Sequence, residues 1–84
     1  MLKFRITYLE GSSEEVDSGL VQQYKRDRTG NIIIFGSGCN KSYLAWLLEK
    51  GKPLILSRNP ERREVSRLIN SNNIKGITFL EENE

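Results

Sequence analysis

The N-terminal segment alternates: Leu2, Phe4, Ile6 and Tyr8 fall on one side of an extended chain, and Lys3, Arg5 and Thr7 on the other. This is the period-two pattern of a half-buried strand. Gly11-Ser12-Ser13 interrupts it. Residues 16–28 then read two ways. Ser12-x-x-Glu15 fits a capping box, and Val16, Leu20 and Tyr24 recur at helical spacing. Against that helix, Asp17-Ser18-Gly19 is turn-like at its centre, and Asp27-Arg28-Thr29-Gly30-Asn31 has the composition of a hairpin turn, with Gly30 supplying a positive φ. The hairpin is favoured, with strands at about 20–26 and 31–36. The continuous run Ile32-Ile33-Ile34-Phe35 predicts a central strand covered on both faces.

Gly36-Ser37-Gly38 ends that run, and a helix is expected over 41–50, with Asn40 as N-cap, Gly51 at C′ and Pro53 preventing continuation. Tyr43, Leu44, Ala45, Trp46, Leu47 and Leu48 sweep most of its circumference, so packing on one sheet face leaves part of this surface for another contact. Residues 53–57, PLILS, predict a short buried strand. Asn59 as N-cap and Pro60 at N1 then predict a second helix with Val65, Leu68 and Ile69 as its apolar stripe, ended by Asn70-Ser71-Asn72-Asn73. Residues 74–80 read as a last strand, with Gly76 as a pivot. The expected fold is therefore α/β: N-terminal β-strands followed by a minimal Rossmann-like βαβαβ unit, with parallel strands joined by right-handed crossovers, in a single small domain spanning 1–84.

Eighty-four residues leave too little interior for two cores. With no histidine and one cysteine, Cys39, the sequence lacks His-dependent triads, the common zinc sets and an internal disulfide. The N-terminus lacks the continuous apolar stretch of a signal peptide, and no run approaches the length needed to cross a bilayer, about 20 residues. A cytoplasmic protein without a membrane partner is expected. The net charge of +2 conceals a partition: residues 20–75 carry eleven basic against four acidic side chains, whereas both ends are acidic. A positive field focused on one face would attract phosphates or an acidic protein surface.

In an open parallel α/β sheet, ligands gather outside the carboxyl ends of the strands, where helix N-termini offer free N–H groups. The loop GSGCNKS, residues 36–42, occupies that place. Gly36 and Gly38 would let a phosphate approach the backbone, with Ser37 between them, Lys41 supplying charge and Ser42 a hydroxyl; Arg58 and Asn59 stand on the next such loop. The run from Ile32 through Leu68 resembles the opening of NAD(P)-binding Rossmann domains of the short-chain dehydrogenase and epimerase-like type, over about residues 31–80. The resemblance implies that Gly36 and Gly38 hold a pyrophosphate and that Arg58 favours a 2′-phosphate. That family's Tyr-x-x-x-Lys pair is absent, since none of Tyr8, Tyr24 and Tyr43 has Lys four residues on. The expectation is a non-catalytic, regulatory binder of a nucleotide or other phosphorylated ligand.

Two alternatives stand beside it. Arg62, Arg63 and Arg67 on the second helix, with Lys25, Arg26 and Arg28 at the hairpin, would suit nucleic-acid phosphates. Tyr43 and Trp46 would serve a protein-interaction or inhibitor module that docks on a partner or forms a homodimer, since Tyr and Trp are frequent interface anchors. Cys39, beside a helix N-terminus and Lys41, has the surroundings that lower a thiol pKa, but no general base accompanies it.

Overall fold

The computed structural model describes residues 2–58 and 67–80. In chain order its elements are β1 (Lys3–Tyr8), β2 (Ser13–Asp17), a 3-10 turn at Ser18–Leu20, β3 (Gln22–Arg26), β4 (Ile32–Ser37), α1 (Lys41–Glu49), β5 (Leu54–Leu56), β6 (Arg67–Ile69), a 3-10 turn at Ser71–Asn73 and β7 (Ile74–Leu80). Every strand pairing among the described residues is antiparallel.

β1 forms as its alternation predicts and lies between β2 and β7. Phe4 opposes Val16 on one side and Phe79 on the other, and Ile6 opposes Ile77. Phe4 and Ile6 are fully buried, so the apolar side of the strand is the side that faces the core. The α-helix weighed for residues 16–28 does not form. Val16 sits in β2, and Asp17 accepts a 2.9 Å bond from the Gly19 N–H, capping the 3-10 turn. The Asp17-Ser18-Gly19 cluster thus ends one strand and redirects the chain into the next.

β3 and β4 form the expected hairpin. Gly30 has φ 86°, its N–H donates to the Asp27 carbonyl at 3.1 Å, and the Asp27 N–H donates to the Asn31 carbonyl at 3.0 Å. The Asp27 carboxylate accepts from the Thr29 hydroxyl and from the N–H groups of Thr29 and Asn31. The Thr29 hydroxyl foremost holds that carboxyl below its ordinary pKa. α1 also begins and ends as read. The Tyr43 N–H donates to Asn40 Oδ1 at 2.9 Å, and Gly51, at φ 67°, lets the Lys52 and Gly51 N–H groups reach the Leu47 and Leu48 carbonyls, a Schellman closure.

The Rossmann-like βαβαβ expectation is overturned by the path after α1. β5 docks beside β3, not beside β4: Leu56 bridges Val21, and the Ser57 N–H donates to the Leu20 carbonyl at 2.9 Å. β4 and β5 therefore run in the same direction with β3 between them, and the crossover yields no hydrogen-bonded parallel pair. Docking there places Leu54 and Leu56 in one core with Phe4, Ile6, Val21, Leu44 and Leu47, and apolar burial of that kind dominates the choice of partner. Residues 59–66 of the expected second helix lie outside the described residues. Its end does not form, because Arg67–Ile69 is a strand pairing with β5, Leu54 opposite Ile69.

β4 is likewise not the central strand its composition suggests. Among the described residues it pairs with β3 alone, and its positions alternate between half-buried and exposed. Ile33 is 41% and Phe35 49% exposed. A continuous apolar run is equally compatible with either placement, since periodicity vanishes when both faces are apolar.

Candidate functional site

The loop expected to cradle a phosphate is held largely by the protein itself. Gly38 adopts φ 87°, which requires glycine, and its N–H donates to the Val21 carbonyl at 2.8 Å while its carbonyl accepts from Gln23 Nε2 at 2.9 Å. Gly36 pairs with Gln23, and Ser37 with Gln22, in the β3–β4 ladder. The Asn40 side chain is occupied as helix cap. Lys41 directs its ammonium over the Phe79 ring, 5.2 Å from the centroid, and Ser42 is exposed. Cys39 is half-buried, and that burial pushes its thiol up to about 11, the reverse of what a nucleophilic thiolate needs. The helix-terminus effect inferred from sequence loses to desolvation.

Arg58 does share an edge with this loop. β4 and β5 flank β3 and end at the same side, where Gly38 bonds to Val21 and Ser57 bonds to Leu20. Asn59 lies outside the described residues. The cavity at Arg58, about 290 Å³, is also bordered by Glu14, Glu15, Asp17 and Arg67, so it presents both signs of charge.

The basic residues divide. Lys25, Arg26 and Arg28 are exposed at the hairpin tip, where Arg26 Nη1 donates to the Gly30 carbonyl at 2.9 Å. Arg67 lies at the far end of β3's neighbours, opposite Leu56, which itself bridges Val21. Five residues of strand, roughly 17 Å, separate Val21 from Arg26. Arg62 and Arg63 fall outside the described residues. Among the described residues, Arg67 is therefore not gathered with the hairpin cluster into one surface.

A network that the sequence did not announce joins three strands instead. Arg67 donates through Nη1 to Glu14 Oε1 at 2.6 Å and through Nη2 to Oε2 at 2.5 Å, and the Tyr8 hydroxyl donates to Oε2 at 2.7 Å. The Arg67 bonds hold the Glu14 carboxyl below its ordinary range. Burial, then the neighbouring carboxylate, pushes Tyr8 up to about 12. The three border a cavity of about 670 Å³ with Leu9, Leu68 and Asn73. Both carboxylate oxygens are already bonded, so the arrangement fixes β1, β2 and β6 together and offers no ready proton acceptor. Tyr8 and Glu14 are six residues apart but Arg67 is fifty-three beyond Glu14, a separation across which no local spacing rule operates.

The apolar positions form the third group. Leu44 and Leu47 are fully buried, which turns Trp46 outward at 42% exposure. Trp46 stacks on Tyr43 with ring centroids 6.0 Å apart, and Lys52 Nζ lies 5.5 Å from the Trp46 centroid. The Tyr43 hydroxyl is buried without a hydrogen-bond partner, and the neighbouring Tyr24 hydroxyl donates to the Pro53 carbonyl at 2.7 Å. Ile33 and Phe35, two residues apart on β4, add a second exposed apolar group that the sequence reading placed inside. Among the described residues, no three Cys, Asp or Glu side chains are grouped to hold a metal ion, and no helix is long and apolar enough to cross a membrane. Compared with protein-family models, with curated proteins and with solved structures, the chain finds no match in any of the three.

Proposed function

We propose that this protein is a non-catalytic protein-interaction module that docks through its exposed apolar positions on β4 and α1. The observation that carries the reading is the placement of Ile33 and Phe35 on the exposed face of a strand whose outer edge has no partner among the described residues. Large apolar side chains left in water on such an edge are the usual mark of a contact surface. Trp46, braced by Tyr43 and Lys52, supplies a rigid aromatic anchor of the kind that dominates interfaces. A cytosolic location goes with this reading, because the one cysteine has no internal partner. The test compares proteins retained by the immobilised wild type with those retained by Trp46→Ala and Phe35→Ala, each with its melting temperature checked, together with the mass in solution. Partners or self-association lost in these variants support the reading. An identical retained set, with the 9.7 kDa monomer mass at every concentration, overturns it.

A second reading, binding of a nucleotide or other phosphorylated ligand at residues 36–42 and Arg58, is supported by the shared edge of the two loops. It predicts a rise in melting temperature with adenine nucleotides or inorganic phosphate that Lys41→Ala and Arg58→Ala abolish. No rise with any of them rejects it, and the Gly38 N–H already bonded to Val21 weighs against it.

A further inference from the structure

We infer that the outer edge of β4 pairs with β4 of a second copy, antiparallel and about a two-fold axis at Ile33. The inference rests on the interaction-module reading and names its partner. The main-chain geometry sets the register. Asn31 is bonded to Asp27 through both its N–H and its carbonyl, so its polar groups point toward β3. Alternation then turns Ile33 toward Lys25 and leaves the N–H and carbonyl of Ile32 and Ile34 facing away. With the axis at Ile33, Ile32 of each copy lies opposite Ile34 of the other. The two such pairs exchange four main-chain hydrogen bonds and join the two hairpins into one sheet.

The side chains and charges agree with this occupant. Residues 31–40 carry no charge and no proline, two of the guards that ordinarily prevent strand addition, and the irregularity of β4, an extra residue at Phe35 between the Tyr24–Ile34 and Gln23–Gly36 pairs, lies outside the Ile32 to Ile34 segment that would pair. Ile33 of each copy meets Ile33 of the other on the exposed face, with Phe35 on the diagonal, and burial of these side chains supplies the apolar contribution. The hairpin tip, with Lys25, Arg26 and Arg28 against Asp27, is basic. Antiparallel pairing at Ile33 sets the two tips roughly 30 Å apart, at about 3.4 Å per residue. That exceeds the Debye length of about 8 Å at physiological ionic strength, whereas parallel pairing would stack the tips side by side. Each tip instead projects past the uncharged 36–40 segment of the other copy.

Sedimentation equilibrium over a wide concentration range, with engineered cysteines to report register, tests the proposal. The wild type is expected to reach twice 9.7 kDa. Ile33→Lys, on an exposed position and with its fold checked by melting, is expected to raise the dissociation constant at least ~100-fold, since it removes the apolar burial of both Ile33 side chains and sets like charges face to face at the axis. In a Cys39→Ser background, Ile33→Cys is expected to oxidise to a disulfide-linked dimer. Opposed residues of a non-hydrogen-bonded pair have Cα atoms about 4.5 Å apart, within disulfide reach, whereas Phe35→Cys in the same background lies too far from its counterpart. A wild type that stays monomeric to about 1 mM, or Phe35→Cys linking as readily as Ile33→Cys, overturns the proposal. If no dimer forms while Trp46→Ala and Phe35→Ala still lose a retained partner, the second copy is excluded and the module reading stands.

Discussion

Replacing Leu47 by alanine tests which face of α1 the protein holds inside, and therefore which face is free to dock. Leu44 and Leu47 are its two fully buried residues, and both join the core formed by the strands. Large-to-small changes at such sites cost about 2–5 kcal/mol, from the lost transfer energy and the cavity left behind. A domain of this length has a total stability of about 4–13 kcal/mol at 0.05–0.15 kcal/mol per residue. A loss near ~3 kcal/mol therefore removes a large share of it and lowers the melting temperature by roughly 12–24 °C, at 4–8 °C per kcal/mol. Trp46→Ala, one position away and 42% exposed, is expected to cost less than ~1 kcal/mol. Urea denaturation followed by circular dichroism reads both. Equal losses for the two variants, or a larger loss for Trp46→Ala, would show that the helix is rotated from the placement described and would refute the exposed-anchor argument along with it.

Asn40→Ala removes the acceptor of the Tyr43 N–H and is expected to cost about 1 kcal/mol in the same assay, while Asn40→Asp retains most of the stability. Gly30→Ala forces a Cβ into φ 86° at the hairpin turn; a destabilisation of about 1–2 kcal/mol is expected, and no change would mean the turn relaxes freely. The network of Tyr8, Glu14 and Arg67 gives stability two pH limbs. Glu14 has its folded pKa lowered, so its contribution is present above the unfolded carboxyl pKa and is lost as pH falls through the folded value. Tyr8 is raised from 10.0 to about 12, so its contribution is present below pH 10 and is lost as pH rises from 10 to 12. Denaturation midpoints across this range should flatten on the acid side in Glu14→Gln and on the alkaline side in Tyr8→Phe; unchanged limbs would show that other groups set them.

The low reactivity expected of Cys39 and the closed network at Glu14 point the same way. The Cys39 thiol is held neutral by burial, and both Glu14 carboxylate oxygens are bonded to Tyr8 and Arg67. On the interaction reading proposed above, β4 and Trp46 are the positions at which function should respond most sharply to substitution.

Local elements were legible wherever a few consecutive residues decide them. The alternation of β1, the Asp27 to Asn31 turn, the Asn40 cap and the Gly51 closure depend on propensity, φ preference and short-range hydrogen bonds, all of which the sequence carries within a few positions. Position in the sheet was not legible. Ile32 to Phe35 reads as a central strand because nothing within it distinguishes apolar positions that will be covered from those that will not. Docking of β5 against β3, through Val21 and Leu56, leaves β4 with β3 as its one strand partner among the described residues, and the same step converts an expected parallel unit into antiparallel pairings. Pairing of Arg67 with Glu14, fifty-three residues earlier, likewise takes a cation read as a nucleic-acid contact and gives it a structural partner. The sequence by itself determined turns, caps and most strands, since their energies are local. Only the tertiary structure decided which strand edge has no partner among the described residues and which charges found each other, since those depend on burial shared among segments far apart in the chain.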